Sequence, residues 1–137
     1  MRIFLDANIL FSAAKSTGAV RQLLTMLLAK KHVLCADEYV VTEARRNLSA
    51  KSPEESLQLL DELLARMEVS PARIGGLDTQ VTSWLPEKDR PVLQAAMRLR
   101  CDALVTGDVT HFGAGFGKSF EGVVIYSPRL LAEALIL

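Results

Sequence analysis

An excess of charge of one sign is what this sequence most clearly lacks. Its 137 residues contain 16 basic and 16 acidic side chains, so the formal net charge at pH 7 is zero. A protein that binds nucleic acid tightly and without sequence preference needs a strongly basic surface, and this composition excludes that class. A polyanionic substrate would therefore have to be held by local basic clusters or by metal ions.

Cysteine is also scarce. Cys35 and Cys101 are the two cysteines of the chain, which is too few for a disulfide scaffold. They are also too few for a zinc site, which needs about four ligands. We interpret them as reduced, buried thiols, the usual state of isolated cysteines.

The sequence has no long apolar run. No stretch approaches the roughly 18 apolar residues of a membrane span, and Asp6 and Asn8 interrupt the apolar start of the chain in a way that does not fit a signal peptide. Half of the residues are hydrophobic and 23% are charged, as in compact globular proteins. We expect a single cytoplasmic domain over residues 1–137, without membrane association.

Short apolar runs alternate with amphipathic segments along the chain. Strands are predicted at 3–5, 32–36, 103–106 and 123–126, with a brief edge strand at 68–71. Helices are predicted at 20–30, 37–50, 78–85 and 89–100, from a capping signal at Ser52, Pro53 and Glu55, and after Ser127. Residues 111–122 are predicted to form a glycine-rich loop. The alternation predicts a three-layer α/β/α fold with a mostly parallel sheet of four to five strands.

Two aspartates follow predicted strands directly. Asp6 comes after the apolar run at 3–5, and Asp108 comes just after the run at 103–106. Because the carboxyl ends of parallel strands line the ligand crevice of open α/β sheets, we expect the two carboxylates at the same rim. The alternative for Asp108 is an aspartate that serves only the Gly107-Asp108 turn.

Two further acids lie on predicted helices. Glu43 borders the core-facing row of Val40, Ala44 and Leu48, although it could equally be a residue at the edge of this row that pairs with a neighbour. Asp89 begins a helix and points toward its inward face, although Asp is also a favoured N-cap. Both acids are therefore candidates for the same site as Asp6 and Asp108.

Several carboxylates in one place need a cation. At about 4 Å, two like charges repel by roughly 4 kcal/mol at an effective dielectric of 20. A site of oxygen ligands without Cys or His suits Mg²⁺ or Mn²⁺. Such a cation accepts substrate phosphates as further ligands, activates water and neutralises charge in an in-line attack on phosphorus.

Four stretches, in this order and spacing, resemble the PIN-domain ribonuclease family. They are FLDANIL at 4–10, TEARRNL at 42–48, KDRPVL at 88–93 and CDALVTGD at 101–108. Together they span most of the chain, and the resemblance is to the VapC-like toxin members of toxin–antitoxin pairs. The segment Arg90-Pro91 after Asp89 and the long glycine-rich stretch after Asp108 depart from the family pattern.

The resemblance implies an activity and a set of roles. Asp6, Glu43, Asp89 and Asp108 would be the acidic quartet that binds one or two Mg²⁺ or Mn²⁺ ions for hydrolysis of RNA. Asn8 and Thr106 would be polar support that orients a carboxylate or the attacking water. The family also implies an RNA substrate, a small antitoxin protein as partner, and frequent homodimers.

His111, three residues after Asp108, could contact substrate or metal, but it is not included in this predicted site. A single histidine in a loop more often binds neither metal nor substrate. Trp84 is likewise interpreted as a packing residue and not as a platform for stacked bases.

Two alternatives stay open at the level of sequence. One is a PIN-like module that binds RNA or protein without turnover, because sequence alone does not show that the acids converge. The other is a phosphatase of the haloacid-dehalogenase type, whose first motif also places Asp-x-Asp after an apolar strand. Here Asn8 stands at the second aspartate, so that motif is half met.

Overall fold

The computed structural model describes residues 1–51, 54–73 and 80–136. Ser52 and Pro53, part of the predicted capping signal, lie outside the described residues, as do the first two residues of the helix predicted at 78–85. Within the described ranges, no helix combines the length and the apolar composition that crossing a membrane requires.

The described residues form one sheet of six strands. These are Arg2–Leu5 (β1), Val33–Asp37 (β2), Glu68–Ser70 (β3), Ala103–Val105 (β4), Ser119–Phe120 (β5) and Val123–Tyr126 (β6). They lie in the order β3-β2-β1-β4-β6-β5, and all neighbours are parallel except β5 and β6. The mostly parallel sheet is confirmed. It has one strand more than expected because β5 lies in a segment predicted to be a loop.

Helices alternate with the strands. In the described part of the chain they are Ala7–Lys15 (α1), Ala19–Ala29 (α2), Glu38–Lys51 (α3), Glu54–Leu64 (α4), Arg90–Arg98 (α5), Val109–Phe112 (α6) and Pro128–Leu135 (α7). Short 3-10 helices cover Glu87–Asp89 and Gly113–Gly115. The arrangement agrees with the predicted three-layer α/β/α fold.

β1 lies at the centre of the sheet. Ile3, Phe4 and Leu5 are completely buried, as expected for a parallel strand that is covered on both faces. Burial of each of these side chains is worth about 1.5–3 kcal/mol. β1 pairs with β2 on one side and with β4 on the other, so the strand order changes direction between β1 and β4.

The carboxyl ends of β1 and β4 meet at this change of direction. The N–H of Asp6 donates to the carbonyl of Val105 at 3.0 Å, and the N–H of Thr106 donates to the carbonyl of Tyr126 at 3.0 Å. Open α/β sheets bind ligands in the crevice at this point. The fold therefore places the residues that follow β1 and β4 where a ligand would lie.

A helix begins directly after β1, which the sequence analysis did not predict. Asp6 Oδ1 accepts the N–H of Ala7 at 2.7 Å and caps α1. The chain passes from strand to helix without a loop, so Asn8 lies in the first turn of α1.

The helix predicted at 78–85 is wrong in its described part. Residues 80–84 form turns, in which the N–H of Leu85 donates to the carbonyl of Thr82 at 3.0 Å. The indole N–H of Trp84 also donates to the carbonyl of Val81 at 3.0 Å. These contacts join residues three apart and do not continue as an α-helix.

The predicted loop at 111–122 is also wrong, because this segment contains the end of α6, a 3-10 helix and β5. Trp84 packs against this segment, in agreement with its predicted role as a packing residue. Its ring stacks on Phe120 at a centroid distance of 5.0 Å and meets Phe112 edge-on at 6.4 Å. Glycine at 115 permits the approach, since a Cβ there would lie 2.5 Å from Trp84 Cη2.

We expect Gly115→Ala to lower the free energy of unfolding by about 1–3 kcal/mol, because the added methyl group overpacks the contact with Trp84. Gly113→Ala is the matched control in the same 3-10 helix. Its Cβ would meet Val109 Cγ1 at an ordinary 3.4 Å, so its stability should be close to wild type. Urea unfolding of the three proteins tests this, and equal stability of the two variants would show that the Trp84 contact is loose.

Candidate active site

All four predicted acids line one pocket at the carboxyl ends of β1 and β4. Asp6 and Asp108 follow these strands, Glu43 comes from α3, and Asp89 comes from the 3-10 helix before α5. The other lining residues are Ala7, Asn8, Phe11, Asn47 and Lys88. The chain thus brings together acids that are separated by up to 102 residues.

Asp6 is buried at the base of this pocket. Its exposed fraction is 5%, and Oδ2 accepts hydrogen bonds from the Thr106 hydroxyl at 2.8 Å and from Asn8 Nδ2 at 3.2 Å. Oδ1 accepts the N–H of Ala7. Donors on two different elements therefore fix the orientation of this carboxylate.

Thr106 and Asn8 connect the ends of β1 and β4. The Thr106 hydroxyl is fully buried and, besides its donation to Asp6, accepts from Asn8 Nδ2 at 3.2 Å and from the N–H of Asp108 at 3.1 Å. Asn8 Oδ1 accepts the N–H of Gly107 at 2.7 Å. The two residues that sequence analysis predicted as polar support thus hold Asp6 and the backbone of Asp108 in one network.

The pocket disfavours negative charge. Burial raises the pKa of Asp6 to about 6, and the charges of Glu43 and Asp89 add to this effect, against the hydrogen bonds from Thr106 and Ala7 that lower it. Burial also raises the pKa of Asp89, and the charge of Asp108 adds to that effect, while His111 and Lys88 oppose it. A cation in the pocket would relieve this repulsion.

Asp89 occupies the N-cap position of α5, as its place in the sequence suggested. Its side chain makes no capping hydrogen bond to that helix. Arg90, which follows it, turns away from the pocket, because its Nε donates to the carbonyl of Leu85 at 2.9 Å and its Nη2 donates to the carbonyl of Ser83 at 3.3 Å. The departure from the family pattern at this position therefore leaves Asp89 in the pocket.

Asp108 begins α6 and lies beside His111. Its Oδ1 accepts the N–H of His111 at 3.0 Å and caps the helix, so the turn alternative describes only part of what this side chain does. Its Oδ2 lies 2.8 Å from His111 Nδ1, and Asp89 Oδ2 lies 3.0 Å from the same nitrogen.

Glu43 is the exposed member of the set. It lies on α3 at the solvent side and lines both the acidic pocket and a neighbouring groove. The charge of Glu43 also acts on Tyr39. Burial is the main reason that the pKa of Tyr39 is raised, and the charges of Glu43, Asp89 and Asp6 add to it. The Tyr39 hydroxyl donates to the carbonyl of Lys88 at 2.7 Å and so ties α3 to the segment that carries Asp89.

Two buried polar atoms at the edge of the pocket have no hydrogen-bond partner among the described residues. They are Asp89 Oδ2 and His111 Nδ1, which lie 3.0 Å apart and form an ion pair only if the imidazole is protonated. With Asp108, these residues offer ligand atoms within 4.8 Å of one another. Unsatisfied buried polar atoms of this kind are expected where an ion belongs, and carboxylate oxygens are the ligands that Mg²⁺ and Mn²⁺ prefer.

His111 lies beside the pocket, next to Asp89 and Asp108, and sequence analysis did not assign it to the site. The signal was its position three residues after Asp108, which places the two side chains on one face only if a helix forms there. Residues 109–112 were not predicted to be helical, so the proximity could not be inferred.

Comparison with known proteins identifies the family. A family model described as "PIN domain" matches residues 2–110, which include all four acids of the pocket. A search of curated proteins finds no match to this chain.

Solved structures share the fold. VapBC2 from Rickettsia felis, bound to a DNA fragment from its promoter, matches with a TM-score of 0.65 and 18% identity over 93% of this chain and 98% of the other. VapC20 from Mycobacterium tuberculosis, a toxin that cleaves the sarcin–ricin loop, gives 0.60 and 16% over 85% and 98%. FitAcB from Neisseria gonorrhoeae gives 0.61 and 17% over 93% and 98%.

These findings decide between the folds considered from sequence. The phosphatase alternative is not favoured, since the matching model and structures are all of another kind. With the family model matching most of its length, and with a pocket built from the residues on which the resemblance rests, the chain belongs to the PIN-domain family.

Proposed function

We propose that the protein is a divalent-metal-dependent endoribonuclease and the toxin of a toxin–antitoxin pair. The observation that carries this proposal is the pocket in which Asp6, Glu43, Asp89 and Asp108 come together from four separate segments. A module that only binds RNA or protein has no need to gather four carboxylates at the cost of their mutual repulsion.

Each acid has a distinct place in the proposed site. Asp6, Asp89 and Asp108 hold Mg²⁺ or Mn²⁺ from the base of the pocket, and Glu43 completes the set from the solvent side. When bound, such a cation neutralises charge on the phosphodiester and lowers the pKa of water for attack on phosphorus. The raised pKa of Asp6 means that proton loss from this residue and metal binding are coupled.

The remaining pocket residues orient these ligands and the substrate. Thr106 and Asn8 fix Asp6, so that its free lone pairs keep one direction when the substrate arrives. Lys88 lines the same pocket and supplies a positive charge for a substrate phosphate. Because the chain has no net charge, this lysine and the metal together would hold the RNA backbone.

Related structures support the biological part of the proposal. VapC20 cleaves an RNA loop, which supports RNA as the substrate class. VapBC2 and FitAcB support an antitoxin protein as the partner. A cytoplasmic location and a homodimer follow from the same proposal.

Asp108→Asn should reduce metal-dependent cleavage of a panel of single-stranded and hairpin RNAs by roughly 10²-fold or more, because a charged ligand of the cation that neutralises the transition state is lost. Asp61→Asn is the matched control, since Asp61 lies on α4 in an exposed ion pair with Arg45. The proteins are compared with Mn²⁺, with Mg²⁺ and with a chelator. Cleavage by Asp108→Asn at the wild-type rate would place the activity elsewhere.

Thr106→Val should slow cleavage and weaken Mn²⁺ binding while Thr106→Ser leaves both near wild type. Valine keeps the shape but leaves the N–H of Asp108 without its acceptor and Asp6 Oδ2 with Asn8 Nδ2 as its remaining side-chain donor, which costs about 1–3 kcal/mol of stability. Rates, Mn²⁺ titration and urea unfolding are measured together. If the valine variant loses stability alone, Thr106 is structural and does not position Asp6 for metal.

Asp6→Asn should gain stability relative to wild type as the pH rises from about 4 to 7 in the presence of a chelator. The pKa of Asp6 is about 6 in the folded chain and 3.8 ordinarily. The folded wild type therefore holds the proton more tightly, and its stability falls as Asp6 ionises. Two pKa units correspond to at most about 3 kcal/mol. Urea unfolding of both proteins at several pH values gives the difference between their free energies of unfolding. This difference would not change with pH if the pKa of Asp6 were the same in the folded and unfolded chain.

A further inference from the structure

We propose that His111 is a nitrogen ligand of the metal site, next to Asp89 and Asp108, and that it shifts the preference of the pocket from Mg²⁺ toward Mn²⁺. This inference rests on the proposed function for the presence of a metal. It goes beyond the four-carboxylate site because it adds a residue of different chemistry and a consequence for metal choice.

The spacing of the three groups matches that of neighbouring metal ligands. His111 Nδ1 lies 2.8 Å from Asp108 Oδ2 and 3.0 Å from Asp89 Oδ2. In an octahedral site with bonds of roughly 2.1 Å, adjacent ligand atoms lie about 3 Å apart. The imidazole nitrogen is therefore already at the distance from each carboxylate oxygen that a shared cation would require, and the three groups offer ligand atoms within 4.8 Å of one another.

The contact leaves two buried atoms without a hydrogen bond in the described part of the chain. His111 Nδ1 and Asp89 Oδ2 both lack a hydrogen-bond partner, and their 3.0 Å separation is an ion pair only when the imidazole is protonated. Buried polar atoms are nearly always paired, so two orphaned atoms that face each other point to a missing third party. A cation between them satisfies both atoms at once.

The backbone of His111 fixes the position from which its ring extends. Its N–H donates to Asp108 Oδ1, which starts α6, and the next residue, Phe112, is fully buried against Trp84. The ring is thus directed at the pocket by the same turn that directs Asp108. A ligand that is positioned before the metal arrives loses little conformational freedom on binding.

Metal preference follows from the donor atom. Mg²⁺ is a hard cation that takes oxygen ligands and keeps its waters, whereas imidazole nitrogen suits transition metals. A site with one nitrogen among carboxylates therefore discriminates against Mg²⁺ more strongly than carboxylates alone.

The test is Mn²⁺ binding by untagged protein, read by calorimetry and by pulsed electron paramagnetic resonance with ¹⁵N-labelled histidine. The chain has two histidines, so His32→Gln is a matched control; His32 lies far from the pocket, beside the N-terminal amine. His111→Gln is the first variant, because glutamine keeps a polar side chain but offers no imidazole nitrogen to a metal. His111→Ala serves as the second variant, and circular dichroism confirms that each protein is folded.

We expect a nitrogen coupling to Mn²⁺ in wild type and in His32→Gln that disappears in both His111 variants. Mn²⁺ affinity should fall by at least roughly tenfold, since loss of even a residue that only supports a ligand costs about 10- to 100-fold. Mg²⁺ affinity should change less, so the ratio of Mn²⁺ affinity to Mg²⁺ affinity should be smaller in the His111 variants than in wild type.

Two results would overturn the inference. If wild type binds Mn²⁺ without nitrogen coupling, or if the His111 variants bind it as tightly or more tightly, the imidazole acts as a cation that the metal displaces, and the carboxylate site stands without it. If wild type binds neither Mn²⁺ nor Mg²⁺, the proposed metal-dependent function fails together with the inference.

Discussion

The buried carboxylate of Asp6 is the constraint on which the surrounding structure depends. It lies at the end of β1, a strand with three completely buried side chains, and needs donors on both oxygens because an unpaired buried charge is costly. The start of α1 supplies one donor, and Thr106 and Asn8 supply the others. Pairing of β4 with β1 in this register is thus stabilised by polar contacts as well as by apolar burial.

Much of the fold could be predicted because its strands are marked by composition. The runs around Ile3, Leu34, Leu104 and Ile125 are apolar, short and bounded by polar residues, and each is a buried strand. Asp6 and Asp108 each follow a strand, and the carboxyl ends of parallel strands lie at the same edge of a sheet. Their proximity could therefore be predicted from the strands alone. The positions of Glu43 and Asp89 in the pocket were harder to predict, since a residue at the edge of a helix face can point to solvent or to a cleft.

What could not be predicted depends on contacts between distant segments. Gly113 and Gly115 suggest a loop locally, yet the segment is ordered because Trp84 packs against Phe112 and Phe120 from elsewhere in the chain. The turns at 80–84 carry Trp84 and so contribute its ring to this contact. His111 was missed for this reason: its direction toward the acids is set by a short helix that tertiary packing stabilises against weak local propensity.

The assembly of the pocket from positions 6, 43, 89 and 108 has a consequence for synthesis of the chain. No fragment that ends before β4 contains the site, and Asp6 remains without its Thr106 donor until β4 has paired with β1. Such long-range pairings form late, because the loop between them must close first. A nascent chain on the ribosome is therefore harmless to the RNA around it until most of the domain has emerged and folded, so the topology delays the activity that we propose.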